Sequence, residues 1–581
     1  MEKYQWDLSP LYKGTDDETL IKDIEKMENL VKGSQVFFDK EKEEEKILRE
    51  GISLMEEIVE LVEKTFAYLQ FVLAADTSNG KALGLLNRGR KVLAKFNGFE
   101  VKFSRVLGEM NLDSYLEKEE FKPYSFVLKE MQEGGKHLLS EAEEEILAEV
   151  SIYGTNAWEN LFDQLTSKAS AEYRGEEKNL TELRNLAYDP DPKVRKEAYE
   201  AELKVYPKIE DSLAVALTSI KGHVNTIARK RGYKDAIEET LDKSRMDRKT
   251  LDALIQAMEE NLDIFHRYFK AKAKGLGKEK LPWEDLFAPM GKVPAGYSVP
   301  LSQRALVESF EAIHPPIAKL MDQAYNDNWI DFFPRKGKVG GAFCENLGSI
   351  KQSRILTNFD GSFNAVDTLA HELGHAYHGY LIEDKSPLNR SYSMPVAETA
   401  STFNEFHFLL DTLEKAKNEE DYLGLIESFL MGNAQTICDI LSRYLFEKEV
   451  FERVDDEILS AKELCDIMHR AQVKAYGEGV EEESLHPYMW ACKGHYYSAA
   501  LSYYNFPYAF GSLYAMALYT EAKEKGPEFM EKYDAMLSAT TTSTVEDVGA
   551  VVDMDLRNPE FWKNAMKTFE PYVKEFEKLV K

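Results

Sequence analysis

The chain has 581 residues, 44% hydrophobic and 30% charged, a balance that belongs to a globular protein and not to a disordered or fibrous one. That length exceeds one ordinary core, so two domains or one large body with an internal groove is expected. With 73 basic against 102 acidic residues the formal charge is -29, which disfavours nucleic acid or an anionic membrane surface as a partner and reads as a solubility feature.

From the first residues onward, no basic region followed by an apolar stretch is visible, so no targeting peptide is expected and the cytoplasm is the expected location. Leu54, Ile58, Leu61, Val62 and Phe66 recur at helical spacing, and most of the chain repeats that pattern, which predicts a mainly α fold. The mixed charges from Asp39 to Lys46 read as a solvated helix face. Ser140 and Glu143 have capping-box spacing ahead of Ile146, Leu147 and Val150, the start of another amphipathic helix.

Asp189-Pro190-Asp191-Pro192 interrupts the helical pattern. It either divides an N-terminal helical region, 1–190, from a region 191–581, or turns a corner within one body. The main strand signal lies between Arg335 and Asp360, where Gly337, Gly340 and Gly341 precede Ala342-Phe343-Cys344 and then Ser353 to Phe359. Asn364 and Asp367 supply an expected N-cap and acidic first turn for the helix after it.

That helix carries Thr368-Leu369-Ala370-His371-Glu372-Leu373-Gly374-His375-Ala376-Tyr377-His378. Histidines four apart project from one face, so two imidazole nitrogens can reach one Zn²⁺, and Glu372, about 100° around the helix, can act as the base for a water beside it. Gly374 lowers helix propensity between the two histidines and points to close approach by another backbone.

A catalytic zinc needs a third protein ligand and an open position. The metzincin pattern is excluded, because His378 and Leu381 stand where its glycine and third histidine belong. His378 shares the stripe, but three imidazoles from consecutive turns of one helix fit a tetrahedral ion poorly. Glu398, following Pro395 on a second helix returned by the loop from Ile382 to Ser393, would bring a carboxylate opposite the histidines. Glu405 shares that face and is a candidate hydrogen-bond acceptor for the non-metal nitrogen of a zinc histidine.

The four cysteines, Cys344, Cys438, Cys465 and Cys492, are far apart and read as free thiols. Gly494 through Thr520 contains no Asp, Glu, Lys or Arg, yet its seven tyrosines, His495, Asn505 and Pro507 suit a buried cleft wall better than a bilayer.

Gly340-Gly341-Ala342-Phe343-Cys344, the stretch Thr368–His378, Pro395-Val396-Ala397-Glu398-Thr399-Ala400-Ser401, the tyrosine-rich C-terminal stretch and the opening Trp6-Asp7-Leu8-Ser9-Pro10-Leu11-Tyr12 together resemble the zinc oligopeptidases that include thimet oligopeptidase and, more closely, bacterial oligoendopeptidase F. The resemblance implies a zincin-type helical body whose two halves flank a deep channel, with a small sheet beside the zinc helix. It implies one Zn²⁺ per chain held by His371, His375 and Glu398, with Glu372 as base. It further implies that His495 and one or two tyrosines, Tyr508 and Tyr504, stabilise the oxyanion and bind the peptide backbone. The expected activity is endopeptidase cleavage of short unfolded peptides, with a carboxypeptidase or dipeptidyl carboxypeptidase, or a non-catalytic helical peptide-binding module, as alternatives. A peptide lying antiparallel along Ser353 to Phe359 is the expected binding mode, since main-chain pairing grips any sequence. Cobalt or manganese could replace zinc in such a ligand set. The oligomeric state is left open.

Overall fold

In a computed structural model, which describes residues 4–580, the chain is predominantly helical, as its periodicity requires. The N-terminal region is built on α1 (Glu18–Ser34), α2 (Glu44–Ala75) and α3 (Gly80–Glu109). Ile58 and Leu61 of the expected stripe on α2 are buried, and Phe96, Phe99 and Phe103 of α3 stack along the same apolar cluster. The acidic and basic residues from Asp39 to Lys46 lie outside that cluster, at the entry to α2.

α4 (Glu141–Tyr153) begins with the expected capping box, Ser140 and Glu143 each satisfying the other's backbone N–H. Its apolar residues do not face a core: Ile146 and Val150 are 61% and 57% exposed. The cap is a local hydrogen-bond pattern and forms regardless, whereas burial needs a neighbour that the tertiary fold does not supply here.

A short hairpin that the alternation did not reveal, β1 (Ser170–Tyr173) with β2 (Glu176–Asn179), turns at Arg174-Gly175, both in left-handed conformation. Its strands are too short and too charged to show a clear period-two pattern. Asp191 then caps α5 (Pro192–Leu203), with Pro192 in the first turn, so Asp-Pro-Asp-Pro is a helix entry.

The sheet beside the site consists of β3 (Ile330–Asp331), β4 (Phe343–Leu347) and β5 (Gln352–Leu356), in the order β3-β5-β4. β5 runs antiparallel to β4 and parallel to β3. Main-chain pairing continues past β5, with Thr357 and Phe359 bonded to Asp331 and Phe332. The expected docking of a peptide along Ser353 to Phe359 is therefore corrected: β5 is central and has no free edge, and the open edge belongs to β4. Spacing located the hairpin, but strand order depends on β3, a two-residue strand with no pattern of its own.

α6 (Phe363–Ile382) begins after the turn at Gly361, whose φ is 81°. Its N-cap is Ser362, which accepts from Ala365 N–H, and not Asn364. The expected cap fell two residues late because Asp360 already closes the turn onto Ser362 N–H and commits the next residue to the capping position. α7 (Thr399–Glu414) packs on α6; further along lie α8 (Ile440–Arg453), α9 (Phe506–Lys525) and α10 (Pro527–Ala539). The turn Gln435–Asp439 before α8 is a π-helical turn. All four cysteines are free. Among the described residues no helix is long and apolar enough to cross a membrane.

Candidate metal centre and cleft wall

α6 delivers His371 and His375 from successive turns, with ring centroids 4.9 Å apart at 83°. Opposite them the chain makes one short turn, Met394–Ala397, with Pro395 in its first positions, and Glu398 sits at the junction with α7. Glu398 Oε2 is 3.4 Å from His371 Nε2 and 3.4 Å from His375 Nε2, and Ser401 Oγ donates to the same oxygen at 2.8 Å. The three side chains are half-buried and offer ligand atoms within 4.8 Å of one another. His378 is not among them.

The close packing of α6 on α7 depends on Gly374. A Cβ there would stand 2.5 Å from the carbonyl oxygen of Ala400 and 2.6 Å from Ser401 Cα, so any larger residue would push the Glu398 strand of chain away from the histidines. Asn404 Nδ2 donates to Ala370 O, and Asn346 Nδ2 on β4 donates to His375 O, tying α6 to α7 and to the sheet.

Charge is concentrated here. Burial opposes protonation of His371, yet the carboxylates of Glu405, Glu372 and Glu398 outweigh it and hold the ring's pKa up to about 9. Burial would raise Glu398, but His375, His371 and Ser401 draw it down to about 2. Glu372 is raised, first by burial, which suits a group that must take up a proton. Glu405 Oε1 lies 3.1 Å from His371 Nδ1, on the ring edge away from Glu398.

Asp367, singled out in the sequence only as a first-turn acid, is one turn before His371. Its carboxyl is raised by burial and then by the charge of Glu405, and its Oδ1 has no hydrogen-bond partner. The i, i+4 spacing to His371 was the available signal for it. His378 turns the other way, with Nε2 2.8 Å from Thr540 Oγ1 and its ring stacked on Tyr392; burial and His375 push its pKa down to about 3.

The donor set fits a zinc ion. Ligand atoms about 2.0 to 2.1 Å from a tetrahedral ion stand roughly 3.3 to 3.4 Å from one another, which is the spacing of the Glu398 oxygen from both imidazole nitrogens.

A second group comes from the aromatic segment. Of its seven tyrosines, five are buried as wall, while Tyr504 and Tyr508 are half-buried, with hydroxyls 2.7 Å apart. His495, in the turn Gly494–Tyr497, lies 5.6 Å from the Tyr504 ring. Gly511, one turn past Tyr508 on α9, sets α9 against Glu398: a Cβ there would be 3.3 Å from Glu398 Cβ. The Tyr508 phenol is raised by burial, by Tyr504 and by the Glu398 charge, so it is a neutral donor. Asn505, read in the sequence only as part of a wall, bonds His495, and Arg443, which bonds Asn505, was not singled out there; an asparagine beside a tyrosine run carries no signal of a specific partner.

A family model described as Peptidase family M3 matches residues 305–568, spanning the metal face and α9, and one described as Oligopeptidase F matches residues 106–169. The chain carries a peptidase family M3 region that holds the metal face. It is thus a metallopeptidase, and the non-catalytic alternative falls away. Oligopeptidase PepF of Bacillus subtilis is 26% identical, the match covering 99% of this chain and 87% of that protein. Group B oligopeptidase PepB of Streptococcus agalactiae is also 26% identical, over 100% and 97% of the two chains. Among solved structures, a putative peptidase from Chlamydophila abortus superposes with a TM-score of 0.86 at 19% identity, covering 99% of this chain and 98% of the other. Oligoendopeptidase-F from Enterococcus faecium gives 0.70 at 20%, over 97% and 98%. The chain therefore shares their helical fold along nearly its whole length.

Proposed function

We propose that this M3 peptidase is a zinc-dependent endopeptidase of short, unfolded peptides. The observation that carries the reading is the convergence of His371, His375 and Glu398, with the Glu398 oxygen at the edge length of a tetrahedral zinc site from both imidazoles, and Glu372 near enough to feel their charge. A bound Zn²⁺ would supply a Lewis acid that polarises the scissile carbonyl and lowers the pKa of a neighbouring water toward ~7.

The chain's own groups do the rest. Glu372, its pKa raised by burial, takes the proton of the attacking water and returns it to the leaving amine. Glu405 holds His371 in the orientation that turns Nε2 toward the ligand set, and its charge helps keep buried Asp367 protonated. Tyr508, supported by Tyr504, and His495 donate to the oxyanion. The peptide pairs with the open edge of β4, which is tied to α6 through Asn346 and contributes no side-chain selectivity by its backbone. The N-terminal region, 1–190 in this reading, covers the channel over region 191–581; Trp6 and Phe71 pack in one cluster with Leu347 and Leu356 of the sheet.

The relatives named oligopeptidase and oligoendopeptidase support the substrate class. Mass spectrometry of a defined peptide set, with and without chelator, tests it. Internal cuts that stop on chelation and return with zinc are expected; removal of single or paired C-terminal residues would replace the endopeptidase by the carboxypeptidase or dipeptidyl carboxypeptidase. Glu398→Ala should lose zinc by metal analysis of the purified protein.

A further inference from the structure

His495 Nε2 lies 2.8 Å from Asn505 Nδ2. An asparagine amide has one donating and one accepting end, and here a guanidinium decides which end faces the ring. Arg443 Nη1 donates to Asn505 Oδ1 at 3.1 Å. Arginine has donors only, so the accepting end of the amide must face Arg443 and the donating end must face His495.

A ring nitrogen that receives an N–H carries its lone pair. His495 Nε2 is therefore unprotonated, and both the imidazolium and the Nε2–H tautomer are incompatible with this arrangement. The proton therefore resides on the other ring nitrogen, Nδ1. Burial, then Arg443, Lys221 and Lys493, push the His495 pKa down to about 3, consistent with a neutral ring.

The support extends backwards. Arg443 is paired with Asp439, which is buried at the end of the π-helical turn Gln435–Asp439. Such a turn inserts an extra residue and rotates the helix beyond it, and it recurs at functional sites. Asp439 ends that turn and stands one α-helical turn before Arg443, and their i, i+4 pairing holds the guanidinium that bonds Asn505.

We propose that Asp439, Arg443 and Asn505 are positioning residues that lock His495 in the Nδ1–H tautomer, leaving Nδ1–H as a standing donor toward the peptide in the cleft. The inference rests on the reading of His495 as an oxyanion donor. A donor fixed in advance needs no reorganisation when charge develops on the carbonyl oxygen, and that is where such a hydrogen bond gains its effect.

The test uses full-length enzyme labelled with ¹⁵N-histidine, the His495 signals being assigned by their loss in His495→Phe. The wild type should show a protonated Nδ1 and a bare Nε2 across the neutral range, and Asn505→Leu and Asn505→Asp should lose that pattern. In zinc-loaded enzyme Asn505→Leu should lower kcat by about 10- to 100-fold, less than full removal of an oxyanion donor, with KM nearly constant. In a His495→Phe background the same change should add less than roughly twofold, because the residues act as a unit. A protonated Nε2 in the wild type, or an undiminished loss in the His495→Phe background, would overturn the proposal. An unchanged kcat in His495→Phe would instead overturn the donor role of His495, while the wild-type spectrum still decides the lock.

Discussion

The metal face and the aromatic segment, brought together where Gly511 of α9 meets Glu398, are built by different means. On α6 the functional groups are set by helical period: His371 and His375 share a face because they are four apart, and Gly374 between them lets α7 come within van der Waals contact. In the segment from Gly494 to Gly511 no period places anything. His495 sits in a 3₁₀ turn, Tyr503 adopts a left-handed conformation with φ 52°, and Tyr504 and Tyr508 meet only once that reversal has brought the chain onto α9. The first site is made by local geometry plus one close approach. The second is made by a relay of side chains that begins as far back as Asp439. A single substitution should accordingly have a role-specific effect on the metal face and a propagating one in the segment.

The largest expected effect separates chemistry from metal binding. Glu372→Gln should keep zinc, measured by metal analysis, and lose about 10²- to 10⁴-fold in kcat, the range for a positioned general base. An active, zinc-loaded variant would break the mechanism at its centre. Tyr508→Phe comes next, with a loss of about 10²- to 10³-fold in kcat and little change in KM. An unaffected kcat would move the oxyanion role to Tyr504, which shares its hydroxyl contact.

Glu405→Gln should weaken zinc affinity by about 10- to 100-fold, read by competition with a chromogenic chelator, because His371 loses the carboxylate at its far nitrogen. The smallest effect concerns packing. Gly374→Ala should cost about 1 to 3 kcal/mol by thermal or denaturant unfolding, as its methyl group meets the Ala400 carbonyl. A variant as stable as the wild type would show that α6 and α7 can separate freely, and the distinction between the two regions would lose its basis.

Much of the metal face was legible in advance because the relevant physics is short-range. A His-Glu-x-x-His run on an amphipathic stretch has few ways to fold, and Pro395 with the connecting loop suggested a second helix that could return Glu398. Two local readings failed for instructive reasons. The cap of α6 fell to Ser362, two residues before Asn364, because the turn from Asp360 already ends there. The apolar stripe of α4 stayed at the surface, since amphipathicity says that a face can be buried and not that a partner exists.

The chain's linear order by itself determined the helical class, the two-histidine face with its adjacent glutamate, and the small hairpin ahead of it. These depend on spacings of two and four residues, which backbone geometry converts directly into position. Tertiary structure alone decided that β4 and not β5 has the open edge, that the Glu405 charge acts on buried Asp367, and that Arg443 and Asn505 dictate the tautomer of His495. Each of these joins groups from separate parts of the chain through strand order or a directional hydrogen bond, and neither leaves a periodic trace in the sequence.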